Sequence, residues 1–302
     1  KRNLTSAVST VNTEKMKNVP VANVTDALAG RATGLIVTSA GGGLNKQSTV
    51  SIRGGGTPIV VIDGFVSEYN DFVNLNSDDI ESMSILKDAA AAVYGQRAGN
   101  GVLVVKTKNG LKGLRVDYSF NQSWSEPTYL EKKLDSYERA SFDNTVRNLY
   151  GLEPRWTDEE IEKYRTGSDP YNYPNTDWQK VLFEHGIIND HNVSVSGGTE
   201  KLRVLMTAGY LDNPGLVKNT GIRKYSLRAN IEADIAKWLT VGTRTFATQE
   251  DKEVGHFDNA NNFLRQTTPG VYPEWNGQYG YPEAPEESAT ANNIASYLVS
   301  QD

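Results

Sequence analysis

Few residues of this 302-residue chain have the types and spacing that catalysis or metal binding needs. The segment SAGGGLNKQS at 39–48 partly matches a phosphate-binding loop, but Asn45 stands where that loop needs a glycine before its lysine. The three histidines, at 185, 191 and 256, lack the spacing of HExxH or zinc-finger sites. Spacing alone leaves open an acid–base pair among the 37 Asp and Glu residues, but no motif points to one. We therefore predict that the chain is not an enzyme and needs no cofactor or metal.

Aromatic residues in the long connections are better candidates for ligand contacts. Trp178 lies in the first long connection, and Trp275, Tyr279 and Tyr281 lie in the last. A flat apolar ring with a polar tip can stack on sugar rings or grip peptide side chains. The alternative is that these residues pack the connections themselves or stand at a membrane interface.

The polar segment FVSEYNDF at 65–72 is a second candidate, because it directly follows an apolar run. Its predicted substrate-binding residues are Glu68, Tyr69, Asn70 and Asp71. Loops held by a rigid scaffold often carry binding residues, and the alternative is an ordinary polar loop.

Composition excludes several classes of protein. The absence of cysteine removes thiolate catalysis and cysteine-ligated zinc. No apolar run approaches the roughly 18 residues of a membrane-spanning helix, and the net charge of −6 argues against nucleic acid as a partner. The charge is uneven, since residues 1–110 carry 11 basic and 9 acidic side chains and residues 111–302 carry 20 and 28. We therefore predict a domain boundary near Gly110.

Residues 1–110 read as a small α/β unit. Short β-type runs separated by turn residues are LIVTS (35–39), TVSIRG (49–54), IVVIDG (59–64), SMSIL (82–86) and VLVVKTK (102–108). The alanine run before the last of them predicts a helix over 89–94, capped by Asp88 and ended by Gly95.

From residue 115 the pattern changes to long segments of alternating polarity. These segments are RVDYSFNQSWS (115–125), NVSVSG (192–197), KLRVLMTAGYL (201–211), KYSLRANIEADI (224–235) and LTVGTRTFATQ (239–249). Short turns alternate with longer loops over 127–190, 212–223 and 251–302. Outer-membrane barrels have this asymmetry between their two ends. A soluble β-sandwich is the alternative, although it need not place every short turn at one end.

Four long motifs resemble the SusC/RagA family of TonB-dependent outer-membrane transporters, and they occur in the family's order between about residue 3 and residue 250. They are TDALAGRATGLIVTSAGGG, VSIRGGGTPIVVIDG, DDIESMSILKDAAAAVYGQRAGNGVLVVKTKNG and HNVSVSGGTEKLRVLMTAGYLDNPGLVKNTGIRKYSLRANI. The resemblance implies an α+β plug domain over 1–110. It further implies that 111–302 begins a transmembrane β-barrel of about 22 antiparallel strands, of which about five are present.

The resemblance also implies roles for two arginines, and the sequence departs from the family pattern in two places. Arg53, in the SIRG motif, and Arg97 would lock the plug to carboxylates of the barrel. The TonB box that precedes a segment like KRNLTSAVSTVN is absent, and the segment between SIRG and VIDG is shorter than is usual. Because an open sheet cannot sit in hydrocarbon with an unpaired edge, we expect an N-terminal fragment of a transporter.

The function implied by the resemblance is nutrient import across the Gram-negative outer membrane, by a multi-pass barrel surrounded by outer-membrane lipid. Its partners would be a SusD-like surface lipoprotein and TonB with its inner-membrane energising complex, and its substrate an oligosaccharide. A peptide importer of the same family is one alternative. A β-rich surface adhesin or surface glycan-processing protein is another, and a dimer of the transporter–lipoprotein pair is left open.

Overall fold

The computed structural model describes residues 8–11, 13, 16, 23–38, 48–87, 90–255, 262, 264–280 and 293–295. The chain folds into two compact units. Unit 1 consists of Lys1–Trp124, Ile187–Pro214 and Gly221–Glu253, and unit 2 of Ser125–Gly186, Gly215–Thr220 and Val254–Asp302.

The first 110 residues, called the plug below, supply seven short strands to unit 1. Their bounds are β1 Val8–Val11, β2 Leu35–Thr38, β3 Thr49–Ile52, β4 Ile59–Ile62, β5 Phe65–Ser67, β6 Ile80–Leu86 and β7 Val102–Thr107. Five of them form a sheet in the order β1-β6-β7-β4-β5, in which only β4 and β7 are parallel, and β2 pairs with β3. Apolar side chains from these strands and from the short helices α1 (Val24–Ala27) and α2 (Tyr69–Val73) form one buried core.

The predicted helix over 89–94 is absent from the described part of that segment. Two 3₁₀ turns, Ala92–Tyr94 and Gln96–Asn100, take its place, separated by Gly95 at a φ of 81°. So short an α-helix forms too few hydrogen bonds to offset the free-energy cost of nucleation. Gly95, at positive φ, also ends the helical turn before it. The predicted cap, Asp88, lies outside the described residues.

The later part of unit 1 is a second sheet of five long strands, called the long sheet below. Its strands are β8 Arg115–Ser125, β9 Gly186–Gly198, β10 Leu202–Pro214, β11 Gly221–Ala236 and β12 Leu239–Glu253. They follow one another across the sheet, and the pairs from β9 to β12 are antiparallel. All five predicted strands are confirmed. Four of them extend three to five residues into the predicted loops, so the medium loop shrinks to residues 215–220.

The two faces of the long sheet differ in chemistry, as the alternation of residues 224–235 predicts. Tyr225 and Leu227 are 45% and 61% exposed on the outer face, whereas Arg228 and Asn230 are 5% and 3% exposed on the inner face. On the outer face a row of aromatic rings crosses several strands. Successive ring centroids in this row are Phe120–His191 at 4.6 Å, His191–Tyr210 at 6.2 Å and Tyr210–Tyr225 at 5.1 Å.

Unit 2 is built from the connections between the long strands. It contains α3 Ser136–Leu149, α4 Asp158–Thr166, α5 Trp178–Leu182 and a small hairpin of β13 Glu274–Trp275 with β14 Gln278–Tyr279. Capping boxes at Asp135 and Thr157 start the two longer helices, because each side chain accepts a hydrogen bond from the N3 backbone N–H. Across the described ranges, every helix is too short or too polar to cross a membrane.

Candidate functional site

A buried ion pair joins the plug to the inner face of the long sheet within unit 1. Arg228 Nε lies 3.1 Å from Asp79 Oδ2, and the side chains are 3% and 6% exposed. Burial raises the pKa of Asp79, and hydrogen bonds from Thr207 and Arg228, together with the charge of Arg228, oppose that rise. Separating such a pair away from water leaves each charge without compensation, so the pair resists separation.

The turn that follows β4 makes a second link. Asp63, at a φ of 50°, and Gly64, at 91°, form the two-residue turn of the β4–β5 hairpin. The Asp63 carboxylate accepts hydrogen bonds from the backbone N–H of Thr107 at 2.8 Å and from its hydroxyl at 2.6 Å. The same carboxylate lies 3.7 Å from Arg244 Nε of β12. The VIDG motif therefore closes a hairpin and contacts the long sheet.

The end of β7 makes a third link, through Asn230 of β11. Its Nδ2 donates to Thr107 Oγ1 at 3.1 Å and to the Lys108 carbonyl at 2.7 Å. Beside it, carboxylates and guanidinium groups alternate along the inner face. The successive ion pairs are Arg244–Glu232 at 3.3 Å, Glu232–Arg203 at 2.6 Å and Arg203–Asp234 at 3.1 Å. The carboxyl ends of β4 and β7 thus meet a charged strip of the long sheet.

The predicted lock residues lie elsewhere in the plug. Arg53 follows β3 at a φ of 53° and is exposed. Arg97 is exposed in the 3₁₀ turn before β7, at the opposite end of that strand from Thr107. In the ion pairs described between the plug and the long sheet, the plug supplies the carboxylates, Asp79 and Asp63, and the long sheet supplies the arginines. The prediction had the opposite arrangement, with arginines on the plug and carboxylates on the barrel. A locking role for Arg53 and Arg97 stays a prediction.

Two residues of the predicted binding segment 65–72 make contacts that stabilise the plug. The Tyr69 hydroxyl accepts from Val50 N–H at 3.0 Å, and its ring packs on the plug core. Asp71 accepts from the Glu68 N–H at 3.3 Å and so helps to start α2. Glu68 and Asn70 are exposed, and an open cleft of about 520 Å³ is lined by Glu68, Tyr69 and Arg97, among others. Substrate contact by these residues stays a prediction.

The predicted aromatic residues of unit 2 differ in exposure. Trp178 is 3% exposed, belongs to the core of unit 2, and donates from Nε1 to the Thr268 carbonyl at 2.7 Å. That burial favours the packing role over a substrate contact for Trp178. Trp275 and Tyr279 are 41% and 38% exposed on the small hairpin, and Trp275 lies 5.6 Å from the Tyr171 ring. Tyr281 lies outside the described residues.

Sequence reasoning missed the residues that form the plug contacts. Arg228 and Asn230 stand two positions apart in the alternating segment 224–235, which is the available signal, but nothing local pairs Arg228 with a residue 149 positions earlier. Asp79 and Asp63 stand inside the DDIESM and VIDG segments that carry the family resemblance. Their partners, Arg228 and Arg244, lie on the long sheet, so the contacts exist only in the folded structure.

Comparison with known proteins agrees with this arrangement. Residues 1–102 match the family model of the TonB-dependent Receptor Plug Domain. TonB-dependent receptor P26 of Formosa agariphila is 32% identical over 295 residues, which cover 94% of this chain and 29% of that protein. TonB-dependent receptor SusC of Bacteroides thetaiotaomicron is 31% identical over 245 residues, covering 76% of this chain and 23% of SusC.

A solved structure of the RagAB peptide transporter superposes with a TM-score of 0.67 at 27% identity, covering 82% of this chain and 31% of that one. The chain therefore spans less than a third of the length of each of these three relatives. The matched region includes both the plug sheet and the long sheet, and the predicted fold class is confirmed. The chain belongs to the SusC/RagA family of TonB-dependent outer-membrane transporters.

Proposed function

We propose that this chain forms the plug and the first barrel strands of a longer SusC-like importer in the outer membrane. The observation that carries the proposal is the two-faced long sheet, whose inner face binds the plug through buried polar contacts while its outer face is apolar. A soluble sandwich would bury the apolar face against a second apolar sheet instead.

The dimensions of the outer face support a membrane location. The outward residues of β11 run from Tyr225 to Ile235, a distance of ten residue intervals or about 33 Å along a strand. At a strand tilt of about 40° this length spans about 25 Å, the height of the apolar band of outer-membrane barrels. The aromatic row through Tyr225 stands at one edge of that band, and Trp238, 84% exposed, at the other. Aromatic girdles occupy these two levels in membrane barrels.

The proposed mechanism is gated passage rather than catalysis. A SusD-like surface lipoprotein would deliver the substrate as a lid over the barrel, and the plug would hold the pore closed until TonB pulls on it. The plug contacts at Asp79, Asp63 and Asn230 would then keep the closed state in place between transport events.

The proposed substrate is an oligosaccharide, and a peptide is the second candidate because of the likeness to the RagAB peptide transporter. Purified transporter is incubated with labelled oligosaccharides or labelled oligopeptides, and each class competes against the other. Displacement by only one class identifies the substrate.

Uptake by cells with and without TonB tests the importer proposal itself. Uptake of the bound class should disappear in cells that lack TonB. Uptake that persists without TonB would contradict the proposal and favour the surface adhesin or glycan-processing alternative.

A further inference from the structure

A notch in the long sheet receives one side chain of the plug. Gly209 of β10 stands between Asn192 of β9 and Ser226 of β11, directly opposite both in the strand register. All three lie in one cross-strand row on the inner face, and the missing side chain at the central position leaves a hole. Asn76, the residue before a 3₁₀ turn of the plug, fills this hole.

The Asn76 amide is oriented at both ends. Its Oδ1 accepts from the backbone N–H of Asp78 at 2.9 Å, which caps the turn Ser77–Asp79. Its Nδ2 therefore points to the sheet, where it donates to Asn192 Oδ1 at 2.6 Å and lies 3.3 Å from Ser226 Oγ. The amide thus cannot be turned round without losing the cap or the sheet contact.

The receiving acceptor is oriented as well. Asn192 Nδ2 donates to Asp190 Oδ1 at 2.9 Å, which turns Asn192 Oδ1 toward Asn76. A cavity of about 30 Å³, lined in part by Asn76, Lys224 and Ser226, lies beside the joint and has room for about two water molecules. Because of these hydrogen bonds, the side-chain amides of Asn76 and Asn192 are both paired inside the protein while the plug contacts the sheet.

A side chain at residue 209 would collide with the groups that form the joint. A Cβ there would lie 2.5 Å from Asn76 Nδ2, 2.5 Å from Ser226 Oγ and 2.7 Å from Asn192 Oδ1. Real Cβ atoms do not approach other atoms so closely, so alanine at residue 209 would displace these side-chain groups and break the hydrogen bonds of Asn76 to the sheet. Gly197 of β9 offers a matched comparison, since a Cβ there would meet nothing closer than 3.9 Å.

We propose that Asn76 and Gly209 form a positioning joint that fixes the register of the plug against the barrel wall and so keeps the pore closed. This inference rests on the proposed function, because it assumes that the plug closes a pore. Asn76 acts by seating the plug, with Gly209 as its receptor and Asn192 as the oriented acceptor.

Two substitutions separate seating from local folding. Gly209→Ala fills the notch, and Asn76→Asp keeps the helix-capping oxygen while it replaces the donor with an acceptor facing Asn192 Oδ1. Both variants should reach the outer membrane at normal levels. Both should leak, seen as open-channel current in planar bilayers and as lost resistance to a large glycopeptide antibiotic. Gly197→Ala should stay closed.

A third variant covers the case in which the first two fail to fold. The chain contains no cysteine, so Asn76→Cys with Ser226→Cys forms a single engineered pair across the joint and leaves Gly209 unchanged. A short thiol-reactive crosslinker should join the pair in the folded protein, because the two native side chains meet, with Asn76 Nδ2 3.3 Å from Ser226 Oγ. Failure to crosslink in the folded protein would overturn the joint.

Deletion of residues 1–110 distinguishes a failure of the positioning joint from a failure of the importer proposal. If the deletion variant leaks but Gly209→Ala and Asn76→Asp stay closed, the positioning joint is refuted and the importer proposal stands. If the deletion variant itself shows no channel, the plug does not close a pore and the proposed function fails.

Discussion

Removal of one member of the buried ion pair should loosen the plug. Arg228→Met keeps the apolar volume of the arginine stem but leaves the Asp79 carboxylate buried without its partner. Breaking a buried pair in this way costs about 3–5 kcal/mol. At about 1.36 kcal/mol per factor of ten, the plug should open roughly 200 to 5,000 times more often.

Hydrogen exchange of the backbone amides of β6 and β7 measures that opening. In the detergent-extracted protein, amides of Ile80–Leu86 and Val102–Thr107 should lose protection by that factor in the variant. The double substitution Asp79→Leu with Arg228→Met should restore most of the protection, because an apolar pair of similar volume is often neutral or stabilising.

An exposed ion pair supplies the matched control. Lys112 and Glu200 lie 2.7 Å apart, but their side chains are 72% and 79% exposed, and such pairs contribute about 0–1 kcal/mol. Lys112→Met should therefore leave the exchange of β6 and β7 unchanged. The reasoning is refuted if Arg228→Met changes protection less than tenfold, or if the double variant is as loose as the single one.

Three further changes have defined outcomes. Because burial raises the pKa of Asp79, its contribution to plug docking is fully present below the ordinary Asp value of about 3.9 and is lost as pH rises through the raised value. Protection of β6 should then increase on acidification from pH 7, and Asp79→Asn should remove that increase. Gly110→Val should prevent correct insertion, measured by heat-modifiable mobility on gels, because its Cβ would overlap the backbone of Val204; wild-type mobility would contradict this. Leu227→Arg on the outer face should destabilise the membrane-inserted protein by about 2–4 kcal/mol in denaturant titration, and an unchanged midpoint would argue against lipid contact there.

Local patterns predicted the elements that depend on local chemistry. The alternation in 224–235 predicted β11 and its two faces, because a strand with one apolar face repeats every two residues. The short strand β1, with the polar sequence VSTV, and the three-residue β5 were not predicted. Both are edge strands of the plug sheet, and their pairing partners, not their own composition, hold them extended.

The candidate site depended on distant pairing and so could not be predicted in the same way. Asp79 and Arg228 are separated by 149 residues, and Asn76 and Ser226 by 150. Which carboxylate meets which arginine is decided by how the plug sits against the long sheet. A polar residue on the inner face predicts that a partner exists but does not identify it.

The position of Arg228 in the chain has a consequence for the order of assembly. The plug residue Asp79 leaves the ribosome about 150 residues ahead of its partner on β11, so the plug cannot complete its electrostatic contacts when it first emerges. Bringing such distant segments together carries a loop-closure cost that grows with their separation. Until β10 and β11 have paired, Asp79 has neither Arg228 nor Thr207 beside it and stays hydrated. The buried contacts of Asp79 are therefore complete only when the plug and the paired strands β10 and β11 are both in place, so they report on the two parts together.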